Sequence, residues 1–274
     1  MALLTEPLPE RGAKLEVLAG IARVVAANPG PMTYHGTNTW LIEAADGFTV
    51  LDPGPDDPAH LAAVLAATGG RVARILLSHT HIDHLAGLPA LVAATGAPTW
   101  GFHTPQDPAF VPDHTLSDND RVGEWTALHT PGHASDHLCF ARDDGVVFSA
   151  DHVMGWSSTV VSPPHGDMVA YFASLDRMLA REDRIYLPGH GPAITDPRGH
   201  VAFLRDHRLQ REAAILAQLA AGPQTTLALV RALYSQVNPA LHRAAERNVT
   251  AHLDKLRAEG RAAPEGEVWR LAGG

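Results

Sequence analysis

Residues 76–87 read LLSHTHIDHLAG and place His79, His81, Asp83 and His84 within six positions, directly after an apolar run. The preceding residues RVARILLS are typical of a buried β-strand, and the following LAGLPALVAATG has helical spacing. Side chains at the end of a strand and at the start of the next helix can converge on neighbouring points. Because neutral imidazole and carboxylate groups are common ligands of zinc and related divalent ions, the stretch predicts a metal site at a strand end.

Three further apolar runs also end at a residue that can bind a metal. LHTPGH ends at His133, VVFSAD ends at Asp151 and IYLPGH ends at His190. Proline and glycine let the chain leave a strand sharply and bring a side chain close to an ion. Together the four strand ends predict two adjacent ions, the first bound by His79, His81 and His133, the second by Asp83, His84 and His190, with Asp151 bridging them.

Strand-like and helical runs alternate along most of the chain, which predicts an α/β (α+β) fold. TNTWLIEAADGFTVLDPGP and HLCFARDDGVVFSAD read as β-hairpins, whereas PAHLAAVLAATGG and MVAYFASLDRMLARED read as helices. Two sheets built from hairpins, each covered by helices on one side, would form a four-layer αββα sandwich. We expect this catalytic domain to span residues 1–204.

Residues 205–274 are expected to form a second, small helical domain. RDHRLQREAAILAQLA, TTLALVRALYSQV and PALHRAAERNVTAHLDKLRAEG predict three helices, and RAAPEGEVWRL predicts a hairpin. Three helices and a hairpin resemble a winged helix. This tail is either a module that binds nucleic acid or another partner, or an appendage that covers one wall of the site or forms a homodimer. Its interleaved basic and acidic residues favour the appendage.

The formal net charge is −9, and it is unevenly distributed. Residues 1–204 contain 11 Lys and Arg against 23 Asp and Glu, whereas residues 205–274 contain 10 against 7. An acidic body does not favour a broad phosphate-binding surface. No apolar run reaches the roughly 18 residues that a membrane span needs, the first residues lack an export pattern, and the single Cys139 cannot form an internal disulfide. We therefore expect a cytoplasmic protein with no membrane partner.

The motifs HTHIDH, TPGH, SAD and LPGHG, in this order and preceded by LDPGP, resemble the metallo-β-lactamase-fold hydrolase superfamily. The resemblance spans nearly the whole chain. It implies the αββα fold and a dinuclear zinc site held by the seven residues named above. It also implies that Asp52, in LDPGP, supports the site by holding one of the metal ligands.

Within that superfamily, the chain is most similar to the β-lactamase-like protein 2 group. NPGPMTYHGTNTWLI, TPGHASDHLCF and HRLQREAAIL, followed by the winged-helix-like tail, carry this similarity. The resemblance implies two activities, because some members of the group are single-strand endoribonucleases and relatives are thioesterases that act on carrier-bound polyketides.

Two divalent ions would lower the pKa of a bridging water from near 16 towards roughly 7 and so supply hydroxide as the nucleophile. Asp83 is then predicted to relay a proton, and Asp151 to join the two ions. We expect zinc, with iron or manganese as alternatives. The predicted substrate is a small acyl compound, namely a thioester, ester or lactone, and the alternative substrate is single-stranded RNA.

Four further residues are predicted to contact the substrate. His152 directly follows a predicted metal ligand, and Trp156 lies in the loop MGWSSTVVSPPHG, which is long enough to form a pocket wall. Asn38 lies in the turn that enters the first hairpin, and His207 lies in the first helix of the tail.

The two interpretations of the tail predict different structures. If the tail walls the pocket, the apolar faces of REAAILAQLA and TTLALVRALY should pack on the body, with His207 or Arg208 near the metal cleft. If the tail binds RNA, Arg243, Arg247 and Arg257 should form an exposed stripe that leads to the metals.

Overall fold

Two β-sheets lie face to face in the computed structural model, which describes residues 3–235 and 242–273. The first sheet has seven strands that are hydrogen-bonded in chain order. These strands are β1 (Leu15–Leu18), β2 (Ile21–Val25), β3 (Asn38–Ala44), β4 (Gly47–Leu51), β5 (Val72–Leu76), β6 (Thr99–Phe102) and β7 (His114–Leu116). Strands β1 to β4 pair antiparallel, whereas β4 to β7 pair parallel.

The second sheet has five strands, which are hydrogen-bonded in the order β12-β11-β10-β9-β8. They are β8 (Arg121–Val122), β9 (Trp125–His129), β10 (Leu138–Arg142), β11 (Val146–Ala150) and β12 (Ile185–Pro188). Only β11 and β12 pair parallel in this sheet, so these two neighbouring strands end at the same edge.

Successive residues of a strand point in turn to the core between the two sheets and to an outer core, which lies between a sheet and the helices that cover it. This follows from the period of two along a strand. In β3, Trp40 lies in the core between the sheets, whereas Leu41 lies in the outer core of the first sheet. In β10, Phe140 lies between the sheets, and Cys139 and Ala141 lie in the outer core of the second sheet.

Helices cover both outer cores and complete the predicted αββα sandwich. The first sheet is covered by α1 (Pro58–Thr68) and α3 (Leu88–Thr95), which follow the strands β4 and β5. The second sheet is covered by α4 (Met168–Leu179) and the first half of α5 (Pro197–Ala220). A short helix, α2 (Ile82–Leu85), begins directly after His81. None of the described helices has the length and apolar character needed to cross a bilayer.

The tail forms a separate core. It contains α6 (Thr226–Leu233), α7 (His242–Ala258) and a sheet with the order β13-β15-β14, made of β13 (Gln224–Thr225), β14 (Ala262–Glu265) and β15 (Val268–Leu271). The predicted second and third tail helices extended into residues 236–241, which lie outside the described residues. The predicted hairpin is present as β14 and β15.

The expectation that the apolar faces of α6 and of the second half of α5 pack on the body is wrong. Ile215, Leu219 and Leu229 lie in the core of the tail, because a winged helix needs an interior of its own. Helix α7 packs on the body through Ala251, which lies in the outer core of the second sheet. Helix α5 continues through Leu204, so the domain boundary at residue 204 stays a prediction.

Candidate metal centre

Four strand ends converge at one edge of the two sheets. Residues 79–84 follow β5, His133 follows β9, Asp151 follows β11 and His190 follows β12. The structure brings all seven predicted ligands together. Their ligand atoms form three groups, within each of which the atoms lie within 4.8 Å of one another: His79, His81 and His133; His79, His84 and Asp151; Asp83, His84 and His190.

The first predicted ion site consists of three imidazole rings. Nδ1 of His81 lies 3.0 Å from Nε2 of His79 and 2.9 Å from Nε2 of His133. The nitrogen ligands of a tetrahedral zinc ion, each about 2.1 Å from the metal, are roughly 3.4 Å apart. The three nitrogens therefore have nearly the spacing that one such ion requires.

The second predicted ion site contains both carboxylates. Nε2 of His190 lies 3.3 Å from Oδ2 of Asp83 and 3.4 Å from Oδ2 of Asp151. Nε2 of His84 lies 3.6 Å from Oδ2 of Asp83 and from Oδ1 of Asp151. Asp151 also lies 3.6 Å from Nε2 of His133, so its carboxylate lies between the two sites.

Two observations show that this donor set fits divalent cations. Nε2 of His84 and Oδ1 of Asp151 are buried and have no hydrogen-bond partner among the described residues, which is costly for polar atoms unless another group satisfies them. Gly189 also leaves space for these ligands, because a Cβ atom there would lie 2.4 Å from Oδ1 of Asp151 and 2.8 Å from Cε1 of His84. Five imidazoles and two carboxylates are a donor set that zinc or iron accepts.

In three of the predicted histidine ligands, the second ring nitrogen contacts another group of the protein. Nδ1 of His84 lies 2.9 Å from Oδ2 of Asp52, and Nδ1 of His133 lies 2.6 Å from the carbonyl oxygen of Val160. Nδ1 of His79 lies 3.0 Å from Oγ of Ser78. Such contacts select the tautomer and the orientation of a metal-binding histidine.

Burial keeps two imidazoles of the first predicted site, those of His79 and His81, neutral. It lowers the pKa of His79 well below its ordinary value, and the neighbouring His84 and His81 lower it further. Burial, followed by the neighbouring His133, lowers the pKa of His81 to about 3. Because the neutral imidazole is the form that binds a metal, these two rings need to lose no proton at neutral pH.

The second predicted ion site contains charged side chains, unlike the neutral His79 and His81 of the first. Burial by itself lowers the pKa of His190, but the Asp151 carboxylate outweighs it and raises that pKa to about 9. Burial by itself raises the pKa of Asp151, but His190 and His84 hold it well below its ordinary value. Asp151 is therefore ionised at neutral pH, and a cation bound here would displace the proton of His190.

A cleft of about 440 Å³ opens onto this centre. Trp156, one of the predicted substrate contacts, lines it together with Asp83 and Asp151. The tail contributes Arg247, the one lysine or arginine among the described residues of the lining. The other lining residues are Pro31, Met32, His81, Gln106, His133, Met154, Ser157, Ser158, Val160, Ser162, Pro163, Pro164 and His165.

The other three residues that were predicted to contact the substrate do not line this cleft. Asn38 is buried, and its amide donates to the carbonyl oxygens of Pro188 and Gly191. His152 is also buried, and its ring packs against Tyr171 with the centroids 5.1 Å apart. His207 lines a separate surface hollow with Phe203. The structure thus leaves these three side chains outside the cleft lining.

The sequence did not predict three groups near the centre, namely Gly189, the Val160 carbonyl and Asn248, whose Oδ1 accepts from the backbone N–H of Val161 at 3.0 Å. Gly189 and the carbonyl group leave no local signal, since their effect depends on chain segments that are distant in sequence. Asn248 does leave one, because it shares the buried face of α7 with Ala245, Val249 and His252. A polar residue at a core position of a helix indicates a specific hydrogen bond.

The comparisons with known proteins agree with this geometry. The metallo-beta-lactamase superfamily matches residues 32–190, and the beta-lactamase associated winged helix domain matches residues 225–269. A beta-lactamase-like protein 2 homolog from Drosophila melanogaster is 31% identical, with 89% of each chain covered. An atrochrysone carboxyl ACP thioesterase from Aspergillus chevalieri is 33% identical, with 78% of this chain and 69% of the relative covered.

Solved structures show the same fold. A beta-lactamase domain protein from Burkholderia ambifaria superposes with a TM-score of 0.83 at 21% identity, covering 97% of this chain and 96% of that one. TTHA1623 in a di-iron-bound form is 30% identical, with a TM-score of 0.54, covering 64% of this chain and 95% of that one. The chain therefore belongs to the metallo-beta-lactamase superfamily as a metal-dependent hydrolase with a C-terminal winged helix domain.

Proposed function

We propose that the chain is a dinuclear metal hydrolase that acts on a small acyl substrate, namely a thioester, ester or lactone. The observation that carries this proposal is the position of Asp151, whose carboxylate lies within 3.6 Å of His84 and His133 and 3.4 Å of His190. One carboxylate thereby joins the two groups of histidines. When bound, two divalent ions supply electrophilic activation of a carbonyl oxygen and of water at neutral pH.

The two carboxylates have different roles in this proposal. The side chain of Asp151 is 8% exposed and joins the two sites, whereas that of Asp83 is 25% exposed and faces the cleft. Burial by itself raises the pKa of Asp83, but His84 and His190 outweigh it and lower the pKa, so the carboxylate is ionised at neutral pH. Its place in the lining of the cleft lets it contact the substrate. Asp83 is therefore the proposed proton relay.

The cleft suits a small substrate. Its volume of about 440 Å³ lies within the usual range of small-molecule sites, roughly 300–1,000 Å³. Met32, Met154 and Trp156 supply apolar surface for an acyl chain, and Arg247 supplies a positive charge for an anionic group. The similarity to an acyl carrier protein thioesterase supports a thioester among the three candidate bonds.

We propose zinc as the metal, since His and Asp ligands with nearly tetrahedral spacing suit it. Iron is the alternative, because the structure of the related TTHA1623 is of a di-iron-bound form and the same ligands bind iron. Metal analysis of freshly purified protein separates the two. Two equivalents of one metal per chain are expected, and at most one equivalent would contradict the dinuclear site.

The substrate is tested by one panel that contains acyl-thioesters, lactones, nitrocefin and labelled single-stranded RNA. Turnover of an acyl-thioester or lactone that a chelator abolishes and added metal restores is expected. The Asp83→Asn variant is expected to bind the second metal more weakly, because Asp83 is one of its proposed ligands, and to lose most turnover. Cleavage of RNA with no acyl turnover would contradict the proposal.

Single-stranded RNA is the second candidate, favoured by the presence of Arg247 in the cleft. Arg243, Arg247 and Arg257 are all exposed on α7, although the acidic residues Glu246 and Asp254 lie between them in the sequence. If RNA is the substrate, replacing the three arginines with alanine weakens RNA binding and makes its salt dependence shallower. If an acyl compound is the substrate, the triple variant shows no such change in RNA binding.

A further inference from the structure

Residues 159–161, here called the strip, form hydrogen bonds to two of the predicted metal ligands. Oγ1 of Thr159 donates to the carbonyl oxygen of Asp151 at 2.8 Å. The carbonyl oxygen of Val160 lies 2.6 Å from Nδ1 of His133 and accepts from it when that nitrogen carries the proton. The strip therefore fixes the backbone of one ligand and the ring of another.

The tail holds the strip from the other side. Arg208, on α5, donates through Nη2 to the carbonyl oxygen of Thr159. Asn248, on α7, accepts through Oδ1 from the backbone N–H of Val161 at 3.0 Å and from Nη1 of Arg208 at 3.2 Å. The two neighbours of Val160 are thus tied to the tail, while the carbonyl group of Val160 faces the metal centre.

The orientation of both tail side chains is defined. Nδ2 of Asn248 donates to the carbonyl oxygen of Ala244 at 3.2 Å, which directs Oδ1 towards the strip. The guanidinium of Arg208 lies 5.4 Å from the ring centroid of Tyr171, whose hydroxyl group donates to the carbonyl oxygen of His152. Both contacts reduce the freedom of the donors and acceptors that hold the strip.

Arg208 is 2% exposed, and no carboxylate among the described residues forms an ion pair with it. Burying a guanidinium without a counter-ion is costly, and one backbone carbonyl, the side-chain oxygen of Asn248 and an aromatic ring offset only part of that cost. A leucine or methionine would fill the same space without this penalty. The buried guanidinium of Arg208 is therefore explained by its hydrogen bond to the strip and not by a gain in the stability of the core.

We propose that Arg208 and Asn248 are positioning residues for the metal centre. They hold the strip so that Val160 orients His133 and Thr159 fixes Asp151. The winged helix domain is in this way a structural part of the centre, whichever substrate the cleft accepts. This inference rests on the proposed assignment of His133 and Asp151 as metal ligands.

The test compares metal affinity in variants that remove or keep the acceptor. Asn248→Leu removes the acceptor for the N–H of Val161 and for Arg208, whereas Asn248→Asp keeps it. We expect Asn248→Leu and Arg208→Met to lower zinc affinity about 10–100-fold, as the loss of contacts that orient metal ligands does elsewhere. Asn248→Asp is expected to stay within about threefold of the unaltered protein. Affinity is measured by competition with a chromophoric chelator.

Arg211→Met is the matched control. Arg211 lies on the same helix, donates to the carbonyl oxygen of Leu233 and stacks on Tyr234, so its contacts remain within the tail. The Arg211→Met variant should therefore have a less stable tail but an unchanged zinc affinity. An equal loss of zinc affinity in Arg211→Met would show that general destabilisation, rather than the strip, explains the effect.

A second readout needs no metal. Amide hydrogen exchange of residues 159–161 in the metal-free protein should accelerate in Asn248→Leu and Arg208→Met but not in Arg211→Met. If amide exchange and zinc affinity were both unchanged in Asn248→Leu and in Arg208→Met, the positioning role would be overturned, but the proposed metal centre would not. Failure of the unaltered protein to bind zinc or iron would instead overturn the metal centre on which the inference rests.

Discussion

His84 and Asp52 form a buried pair in which Nδ1 of the imidazole lies 2.9 Å from Oδ2 of the carboxylate. The same carboxylate accepts from the backbone N–H of Ser78 at 2.8 Å and from its hydroxyl group at 2.6 Å. Asp52 has a φ of 57°, a left-handed conformation that costs a non-glycine residue about 1 kcal/mol. These three hydrogen bonds hold that conformation and join the end of β4 to the residues that follow β5.

Asp52→Asn should lower zinc affinity about 10–100-fold. The asparagine can still accept from Ser78, but an amide group facing Nδ1 of His84 favours the tautomer with the proton on Nε2, the nitrogen that points to the predicted site. Affinity is measured by chelator competition. Asp113→Asn is the control, because Asp113 accepts hydrogen bonds from Thr99 and is not one of the grouped metal-ligand residues. Equal affinity in the two variants would contradict the role of Asp52.

Gly189→Ala should displace the Asp151 carboxylate and lower zinc affinity by at least about tenfold. The added Cβ atom would lie 2.4 Å from Oδ1 of Asp151, and overpacking of this kind costs about 1–3 kcal/mol. Gly69→Ala is the control. It introduces strain at a φ of 58°, but its Cβ atom meets nothing within 4 Å. The control should therefore lose stability and keep its metal, and a metal loss in both variants would remove the steric explanation.

Asp151→Ala should lose metal and activity together, while the circular dichroism spectrum stays close to that of the unaltered protein. The carboxylate joins two groups of histidines, whereas the core is formed by the strands and helices around it. Activity should fall by more than about 100-fold, since even contacts behind the metal ligands are worth 10–100-fold. Full activity with two metals per chain would show that Asp151 does not bridge.

Glu212→Gln should destabilise the tail by about 2 kcal/mol at pH 7 and by much less at pH 3. Burial by itself raises the pKa of Glu212, but the neighbouring His252 imidazole and the hydrogen bond from Lys255 outweigh it and lower the pKa to about 2. Lys255 and Arg261 each lie 2.7 Å from its carboxylate oxygens. A depressed pKa contributes stability above the unfolded value near 4.5, and that contribution is lost as the pH falls towards 2.

For Glu212, the free energy of unfolding is measured with urea in the unaltered protein and in the variant, at pH 7 and at pH 3. The exposed Glu246→Gln serves as the control and should show little difference at either pH. A difference for Glu212→Gln that does not shrink in acid would mean that its charge is not what stabilises the tail.

Much of the fold and of the candidate site was predictable from the sequence. Apolar runs bounded by turn signals predicted the strands that carry the site, and HTHIDH, TPGH, SAD and LPGHG stood at the ends of four of them. Strand ends present their next side chains at the edge of a sheet, so local order along the chain is enough to gather seven ligand-type residues. Asp52, which follows β4, was assigned through the resemblance of LDPGP to the superfamily motif.

Tertiary structure alone decided what surrounds these residues. Contacts such as those of Arg208 with Thr159, of Asn248 with Val161 and of Gly189 with Asp151 join segments 38–87 residues apart. Asn38 and His152 lie close to the motifs in the sequence, but their side chains are buried and do not line the cleft. A motif records which residue types a strand end carries, whereas the packing of distant segments determines which atoms meet, and that packing depends on the shape of the whole core.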